Sequence, residues 1–219
     1  MSVVLEPTDN LLLSALLPDT QRALLPALQR VTLPAGMMLS EMGQVDEFAY
    51  FPADCILGQF NELQGDEFGE VCLLGNDGMT GAGIFMGGPS PSRFLVQTGG
   101  SGLRLPAEIL RDHFNASVDV RRVMLGFVDY WMRQIEKRAA CHLWHTHQQQ
   151  LCHWLLCSMD RLPSTQAIRH DHASVWHHRV SAALTQLQHM GAIQQDCGEI
   201  RVLDRAVVER LCCSCYEAQ

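Results

Sequence analysis

The sequence predicts an α+β chain in three successive parts: a roll of short strands, one long helix, and a helix followed by a hairpin. Glycine usage is the first observation, because 14 of the 17 glycines lie between Gly36 and Gly102, whereas all ten histidines and all four tryptophans lie from His113 onward. Turn-rich sequence therefore precedes helical sequence. The second observation is the stripe Val120, Met124, Phe127 and Trp131, spaced four, three and four, which is the repeat of a helical seam. The third is a helix from about Ser174 that stops at Gly191 and runs into strand-like Ile193, Ile200 and Val202 around Asp196-Cys197-Gly198. Helix, stop and hairpin in that order outline a winged helix-turn-helix.

The elements follow in chain order. Leu12, Leu13, Leu16, Leu17, Leu24 and Leu28 make Asn10 to Leu28 helical, with Pro18 opening a second stretch. Strands are expected at Val31–Leu33, Met37–Leu39, Phe48–Phe51, Cys55–Phe60, Val71–Leu74, Phe94–Gln97 and Leu103–Leu105, each bounded by Gly, Pro, Asn or Asp. They lack the intervening helices that a parallel sheet needs, so a β-sandwich or jelly roll is predicted. After Pro106 the helical period returns, with one long helix over about Val118 to His142. Val123, Val128 and Ile135 widen its apolar stripe. A stripe that wide serves two surfaces, a β-roll on one side and a second subunit on the other, the alternative being a core helix of a monomer. Val120, Met124, Phe127 and Trp131 are expected at the dimer seam, since exposed they would leave a large apolar patch. In the last quarter Val180, Ala183, Leu184, Leu187 and Met190 line one face of the helix that precedes the hairpin. Such a helix buries that face and offers the other to a DNA major groove.

Composition sets the limits. A chain of 219 residues, 47% hydrophobic and 18% charged, can bury two modest cores. The expected division is a β-roll over 1–115, a dimerisation helix over 116–145 and a winged helix over 146–219. The net charge of -8 argues against avid non-specific DNA binding, but residues 160–219 hold six Arg against seven Asp or Glu, a nearly neutral region. No apolar run is long enough for a membrane span and no secretion signal opens the chain, so a cytoplasmic protein with reduced cysteines is expected.

Catalysis and metal chemistry find little support in the sequence. No nucleophile elbow, phosphate loop or His-Glu-x-x-His pair is present, so the chain is read as a non-enzyme. Candidate metal groups are His142, His145 and His147; His170 and His172; His177 and His178; and Cys212, Cys213 and Cys215. None has the paired spacing of a zinc site, and the cysteines closing a helix from Arg205 to Cys215 are read as small apolar packers. No metal and no cofactor are expected.

Taken together, Leu33-Pro34-Ala35-Gly36, Tyr50-Phe51-Pro52, Leu74-Gly75-Asn76-Asp77-Gly78-Met79, Trp154-Leu155-Leu156, Thr165-Gln166 and Ile200-Arg201-Val202-Leu203-Asp204 resemble, in order and spacing, the Crp/Fnr family of bacterial regulators. The resemblance implies a cyclic-nucleotide-binding-like β-roll, a long dimerisation helix and a C-terminal winged helix-turn-helix. It implies promoter DNA, a second copy of the chain and RNA polymerase as partners, and a small-molecule effector that the sequence leaves unidentified. Iron–sulfur relatives hold their cluster near the N-terminus, whereas the first cysteine here is Cys55.

The sequence also departs from that family in ways that set further expectations. Where nucleotide-binding relatives carry a Gly-Glu pair, this chain has Met79-Thr80-Gly81-Ala82, so the effector position at Gly81 lacks a carboxylate for ribose hydroxyls. Ser92 and Arg93 follow, with Arg93 open to two readings, an anion contact or a solvated strand-end residue. In an ungapped match over Thr165 to Leu184, the first helix of the motif would carry Arg169, His170, Ala173 and Ser174 where Leu, Ala, Leu and Gly are expected. On the second helix His177, His178 and Ala182 stand at positions that read bases in relatives. Arg179 is expected to face phosphate, Trp176 to pack on sugars or inside the domain, and Ser181 to lie on the same DNA-facing surface.

Overall fold

A computed structural model of the chain describes residues 6–62, 68–163, 167–169 and 175–216, the side chains of 175–179 excepted. The chain opens with two short helices, α1 (Leu11–Ser14) and α2 (Pro18–Leu24). Asn10 caps α1: its Oδ1 accepts from the Leu12 and Leu13 N–H groups, while its Nδ2 donates to the Pro52 and Gly78 carbonyls at 2.9 and 3.0 Å. One buried amide thus starts a helix and pins it to the roll.

The roll comprises β1 (Gln29–Leu33), β2 (Met38–Ser40), β3 (Phe48–Pro52), β4 (Ile56–Glu62), β5 (Phe68–Leu74), a short α3 (Gly83–Met86), β6 (Arg93–Thr98) and β7 (Gly100–Pro106). Its two antiparallel sheets have the orders β1-β7-β3 and β2-β6-β4-β5. Every strand expected from the sequence is present; β4 and β5 run further because ladder pairing continues through Asn61 and Glu62 to Gly69 and Phe68.

Two helices follow, α4 (Ala107–Ala116) and α5 (Val118–Trp144), the latter capped by the Ser117 hydroxyl, which accepts from the Val120 N–H. Then come α6 (His147–Arg161), β8 (Ile168–Arg169), α7 (Val175–His189), β9 (Ile193–Asp196), β10 (Glu199–Val202) and α8 (Arg205–Leu211), with a third sheet ordered β8-β10-β9. The hairpin turns tightly at Cys197 and Gly198, both at positive φ, 44° and 82°, as a two-residue turn of this hand requires. No helix among the described residues is long and apolar enough to cross a membrane.

Two apolar clusters form the interior. The first joins α1 and α2, the inner face of the roll and the first half of α5; the second joins α6, α7, β8 to β10 and α8, and draws in Ile56 and Leu73 from the roll. One expectation is corrected here. Val120, Met124, Phe127 and Trp131 are 0, 1, 2 and 7% exposed within the single chain and pack in the first cluster, so they anchor α5 to the roll and are not available as a seam between subunits. The outward face of α5 is instead Val118, Leu125 and Met132, with Leu125 and Met132 at 51 and 55% exposure. A stripe broad enough for two surfaces does not reveal from spacing alone which half meets which.

Candidate functional site

Aromatic side chains of α5 pack against the inner face of the roll. Trp131 stacks on Phe127, centroids 6.0 Å apart and planes 2° from parallel, with Phe94 tilted against it at 6.2 Å. Its Nε1 donates to Gln59 Oε1 at 2.8 Å, Gln59 Nε2 donates to Ser92 Oγ at 2.8 Å, and Ser92 Oγ donates to Asn61 Oδ1 at 2.6 Å. This relay ties α5 to β4 and to the turn before β6. Gln59 and Ser92 are buried, and each both accepts and donates in it, as buried polar groups require.

The three residues expected at an effector pocket have separate partners. Gly81 sits at φ +85°, and a Cβ there would meet Ile84 Cδ1 at 2.8 Å and the backbone of Ala49 and Phe48 at 3.3 Å. The backbone itself therefore excludes a carboxylate-bearing side chain at this position without strain. Ser92 belongs to the relay. Arg93 Nε donates to Glu41 Oε2 at 3.0 Å and its guanidinium lies 3.9 Å from the centre of the Phe68 ring. Of the two readings of Arg93, neither a bare solvated residue nor a free anion contact describes it, since its charge is shared with a carboxylate and a ring.

The strongest electrostatic feature lies where the roll meets the winged helix, and sequence reasoning did not single it out. Asp77 accepts from Arg161 Nε at 3.0 Å, Arg161 Nη2 at 2.6 Å, Tyr130 Oη at 2.5 Å and the Gly75 N–H at 2.9 Å. Both charged groups are buried. Burial by itself would raise the Asp77 carboxyl, but the Arg161 charge, with the hydrogen bonds from Arg161, Tyr130 and Gly75, holds it below the usual carboxylate range. Gly75 makes the approach possible, because a Cβ on it would come within 2.7 Å of Arg161 Cβ. This accounts for much of the Leu74-Gly75-Asn76-Asp77-Gly78-Met79 string in physical terms.

A second buried contact lies alongside. Arg138 Nη2 pairs with Glu70 Oε1 at 3.2 Å, while Gln97 Nε2 donates to Glu70 Oε2 at 2.8 Å. Here burial dominates, and the Glu70 carboxyl is pushed up despite Arg138 and the hydrogen bonds from Gln97 and Trp154. The Arg169 N–H donates to Thr98 Oγ1 at 3.0 Å, so β8 also touches the roll. Two contacts, Arg161 of α6 on Asp77 and Arg169 of β8 on Thr98, therefore couple the roll to the C-terminal part, and Arg138 on Glu70 couples it to α5.

The surface expected to face DNA is described in part. α7 buries Val180, Ala183, Leu184 and Leu187, while Ser181, Ala182, Thr185, Gln186, Gln188 and His189 are exposed; Met190, expected on the buried face, is exposed beyond the helix end. Trp176, His177, His178 and Arg179 lie on α7, but their side chains fall outside the described residues, as do His170, His172, Ala173 and Ser174 altogether. The ungapped match over Thr165 to Leu184 is corrected: Ile168–Arg169 form a strand paired with Glu199 and Ile200, so Arg169 does not lie in a first helix of the motif. β-Pairing to the wing decided this, and a local motif match could not register it. Residues 170–174, between β8 and α7, lie outside the described residues.

The fold defined by these parts, a β-roll, a long helix running off it and a winged helix packed against the roll, is that of the Crp/Fnr-type transcription regulators. No protein-family profile matches the sequence, and no curated protein matches it. Solved structures do. FixK2 from Bradyrhizobium japonicum aligns with a TM-score of 0.70 at 14% identity over 85% of this chain and 98% of its own. A CRP-family transcriptional regulator from Thermus thermophilus aligns at 0.68 and 16% identity, over 87% and 100%. The c-di-GMP-responsive global regulator CLP of Xanthomonas campestris aligns at 0.61 and 12% identity, over 84% and 98%. Likeness at such low identity establishes a shared architecture.

Proposed function

We propose that the chain is a Crp/Fnr-family transcription regulator that works as a homodimer in the cytoplasm and engages promoter DNA through α7 and the β9–β10 wing. The observation that carries the reading is α7 itself: a helix with one apolar face buried on α6, an uncharged polar outer face at Ser181, Thr185, Gln186 and Gln188, and a hairpin directly after it. Trp176, His177, His178, Arg179 and Ser181 are the residues we assign to the groove, with RNA polymerase as the further partner at the promoter. We read residues 1–115 as the sensor roll, 116–145 as the dimerisation helix and 146–219 as the DNA-binding part, a regulator without catalysis.

Two features refine the proposal. The subunit seam is reassigned to the outward face of α5, where exposed Leu125, Met132 and Ala139 recur every seven residues with half-buried Val128 between the first two, the repeat of a two-helix seam. The roll is a poor cyclic-nucleotide receptor, because Gly81 cannot present a carboxylate, and Gln59 and Ser92 are already engaged with Trp131 and Asn61. Isothermal calorimetry should give no saturable binding of cyclic AMP or cyclic GMP below millimolar concentration.

The experiment is fluorescence anisotropy on promoter fragments at pH 6 and pH 8, across salt. An unperturbed histidine gains charge near pH ~6.5, so His177 and His178 should make binding tighter at pH 6 and at low salt. Arg179→Ala, and alanine at both histidines, should weaken it. Binding that is tight and indifferent to pH would reject these residues as the DNA contacts. A second reading, a dimeric sensor or interaction module that no longer reads DNA, is favoured by the placement of Arg169 in a strand paired with the wing and not in a helix. No binding at pH 6 and low salt, together with no discrete peaks in genome-wide crosslinking, would select it.

A further inference from the structure

The sequence gives no paired zinc spacing, yet the fold assembles a ligand set from its two distant ends. Helix α5 ends at Trp144 and α8 at Leu211, earlier than the helix to Cys215 expected from the sequence. The shorter α8 leaves Cys213 and Cys215 on a turn, closed by the Tyr216 N–H donating to the Cys213 carbonyl, opposite Cys141 and His145. Cys141 Sγ lies 3.6 Å from Cys213 Sγ, 72 positions apart in sequence, and Cys215 Sγ lies 3.5 Å from His145 Nδ1. All four ligand atoms fall within 4.8 Å of one another, with Cys141 and Cys213 buried and His145 and Cys215 half-buried.

The Cys141–Cys213 and Cys215–His145 separations match a metal polyhedron. Sulfur at about 2.3 Å and nitrogen at about 2.0 Å from a tetrahedral centre lie about 3.5 to 3.8 Å from each other. They do not match a disulfide, whose sulfurs sit about 2.05 Å apart. Three sulfurs and one imidazole form a soft set that selects against magnesium and calcium.

We propose that Cys141, His145, Cys213 and Cys215 form a closed Cys3His site for a tetrahedral divalent cation of the zinc class. Binding exchanges three thiol protons for one dication while His145 coordinates as neutral imidazole, leaving the centre with a net charge of one minus. With four protein ligands the site has no open position for substrate. Its role is to tie the end of α5 to the segment after α8 across the connection at residues 145 and 146, fixing the winged helix against the long helix. Cys212 packs with the second apolar cluster and is not a ligand.

The test uses the full chain, purified under reducing conditions and free of any polyhistidine tag. Plasma emission spectrometry should find about one zinc per chain. Replacement by cobalt should give the visible ligand-field bands of a tetrahedral thiolate site. Cys213→Ser and Cys215→Ser should each lose the metal and those bands, whereas Cys212→Ser keeps both. Should the serine variants fail to fold, stripping zinc from the unmodified chain with a chelator must expose three further reactive thiols per chain. The proposal is overturned by sub-stoichiometric metal with no cobalt spectrum in the reduced chain. It is equally overturned if both serine variants retain metal, or if alkylation and mass spectrometry find a Cys141–Cys213 disulfide as the main state.

Discussion

The two halves of α5 do the same mechanical work with different chemistry. The first half holds the roll through an apolar face, Val120, Met124, Phe127 and Trp131, with one polar relay from Trp131. The second half adds a buried ion pair to the same roll, Arg138 on Glu70, and the C-terminal part is held by buried charge and sulfur, Arg161 of α6 on Asp77 and Cys141 and His145 beside Cys213 and Cys215. Apolar packing is non-directional and tolerates small shifts. A buried ion pair holds one geometry and is costly when half of it is removed. The roll-to-helix contact is thus suited to permanence, and the contact with the winged helix to a small number of defined positions.

The comparison breaks most visibly at the apolar end. Phe127→Ala should cost about 3 to 5 kcal/mol in urea denaturation. Phe127→Asp should unfold the roll, where an intersubunit seam at that position would have yielded a folded monomer. A loss under about 1 kcal/mol would mean that this half of α5 is not what holds the roll. At the charged end Arg161→Ala should cost a similar ~3 to 5 kcal/mol, because Asp77 is left buried without its partner. The two ends part company in the double replacement: Asp77→Leu with Arg161→Met should recover most of that loss, as apolar isosteres of a buried pair often do. No recovery would show that the pair itself, and not merely the filling of its space, is needed.

A pH titration sharpens the contrast. Burial, with the neighbouring Arg138, Arg161, Lys137 and His142, pushes the His153 imidazole down to about 4. A lowered histidine is neutral in the fold but protonates in the unfolded chain near ~6.5. Its stabilisation is therefore complete above that pH and drains away as pH falls toward 4, by up to about 3 kcal/mol. Glu70, raised by burial, works in the opposite sense, regaining stability as it protonates, and Asp77 keeps its contribution until pH drops below the ordinary carboxylate range. Denaturation midpoints should fall between pH 6.5 and 4, and His153→Gln should flatten that slope. An unchanged slope in the variant would assign the acid sensitivity elsewhere.

The smallest change in stability is expected on the outward face. Leu125→Glu and Met132→Glu, at positions half exposed in the single chain, should shift urea midpoints by no more than about 0.5 kcal/mol. In light scattering on a sizing column the unmodified chain should run at about twice 24.5 kDa and the double variant at the single-chain mass. A dimer that survives both substitutions would place the subunit seam on another surface.

Much of the fold is legible in the sequence for local reasons. Strand and helix positions follow from period and from turn residues, which act within a few neighbours. Val31–Leu33 and Phe48–Phe51 were bounded by Pro, Gly and Asp, and the Gly191 stop closes α7 with φ +69°. The Asp196-Cys197-Gly198 turn fixes its hairpin in the same local way. The candidate site was less legible. Arg169 reads as helical beside its neighbours and becomes a strand only because Ile168 pairs with Ile200. Asp77 and Arg161 are 84 positions apart, and nothing in either neighbourhood marks them as partners.

By itself the sequence determined the order of strands, the long helix, the wing and the absence of a carboxylate at Gly81, since each is a property of composition or of spacing within one element. Tertiary structure alone decided which face of α5 meets the roll, that Arg161 answers Asp77, that β8 precedes α7, and that Cys141 and His145 meet Cys213 and Cys215. The physical reason is the range of the interactions. Periodicity and turn chemistry act along the chain, whereas burial, charge pairing and ligand geometry depend on distances that exist only once the chain has closed on itself.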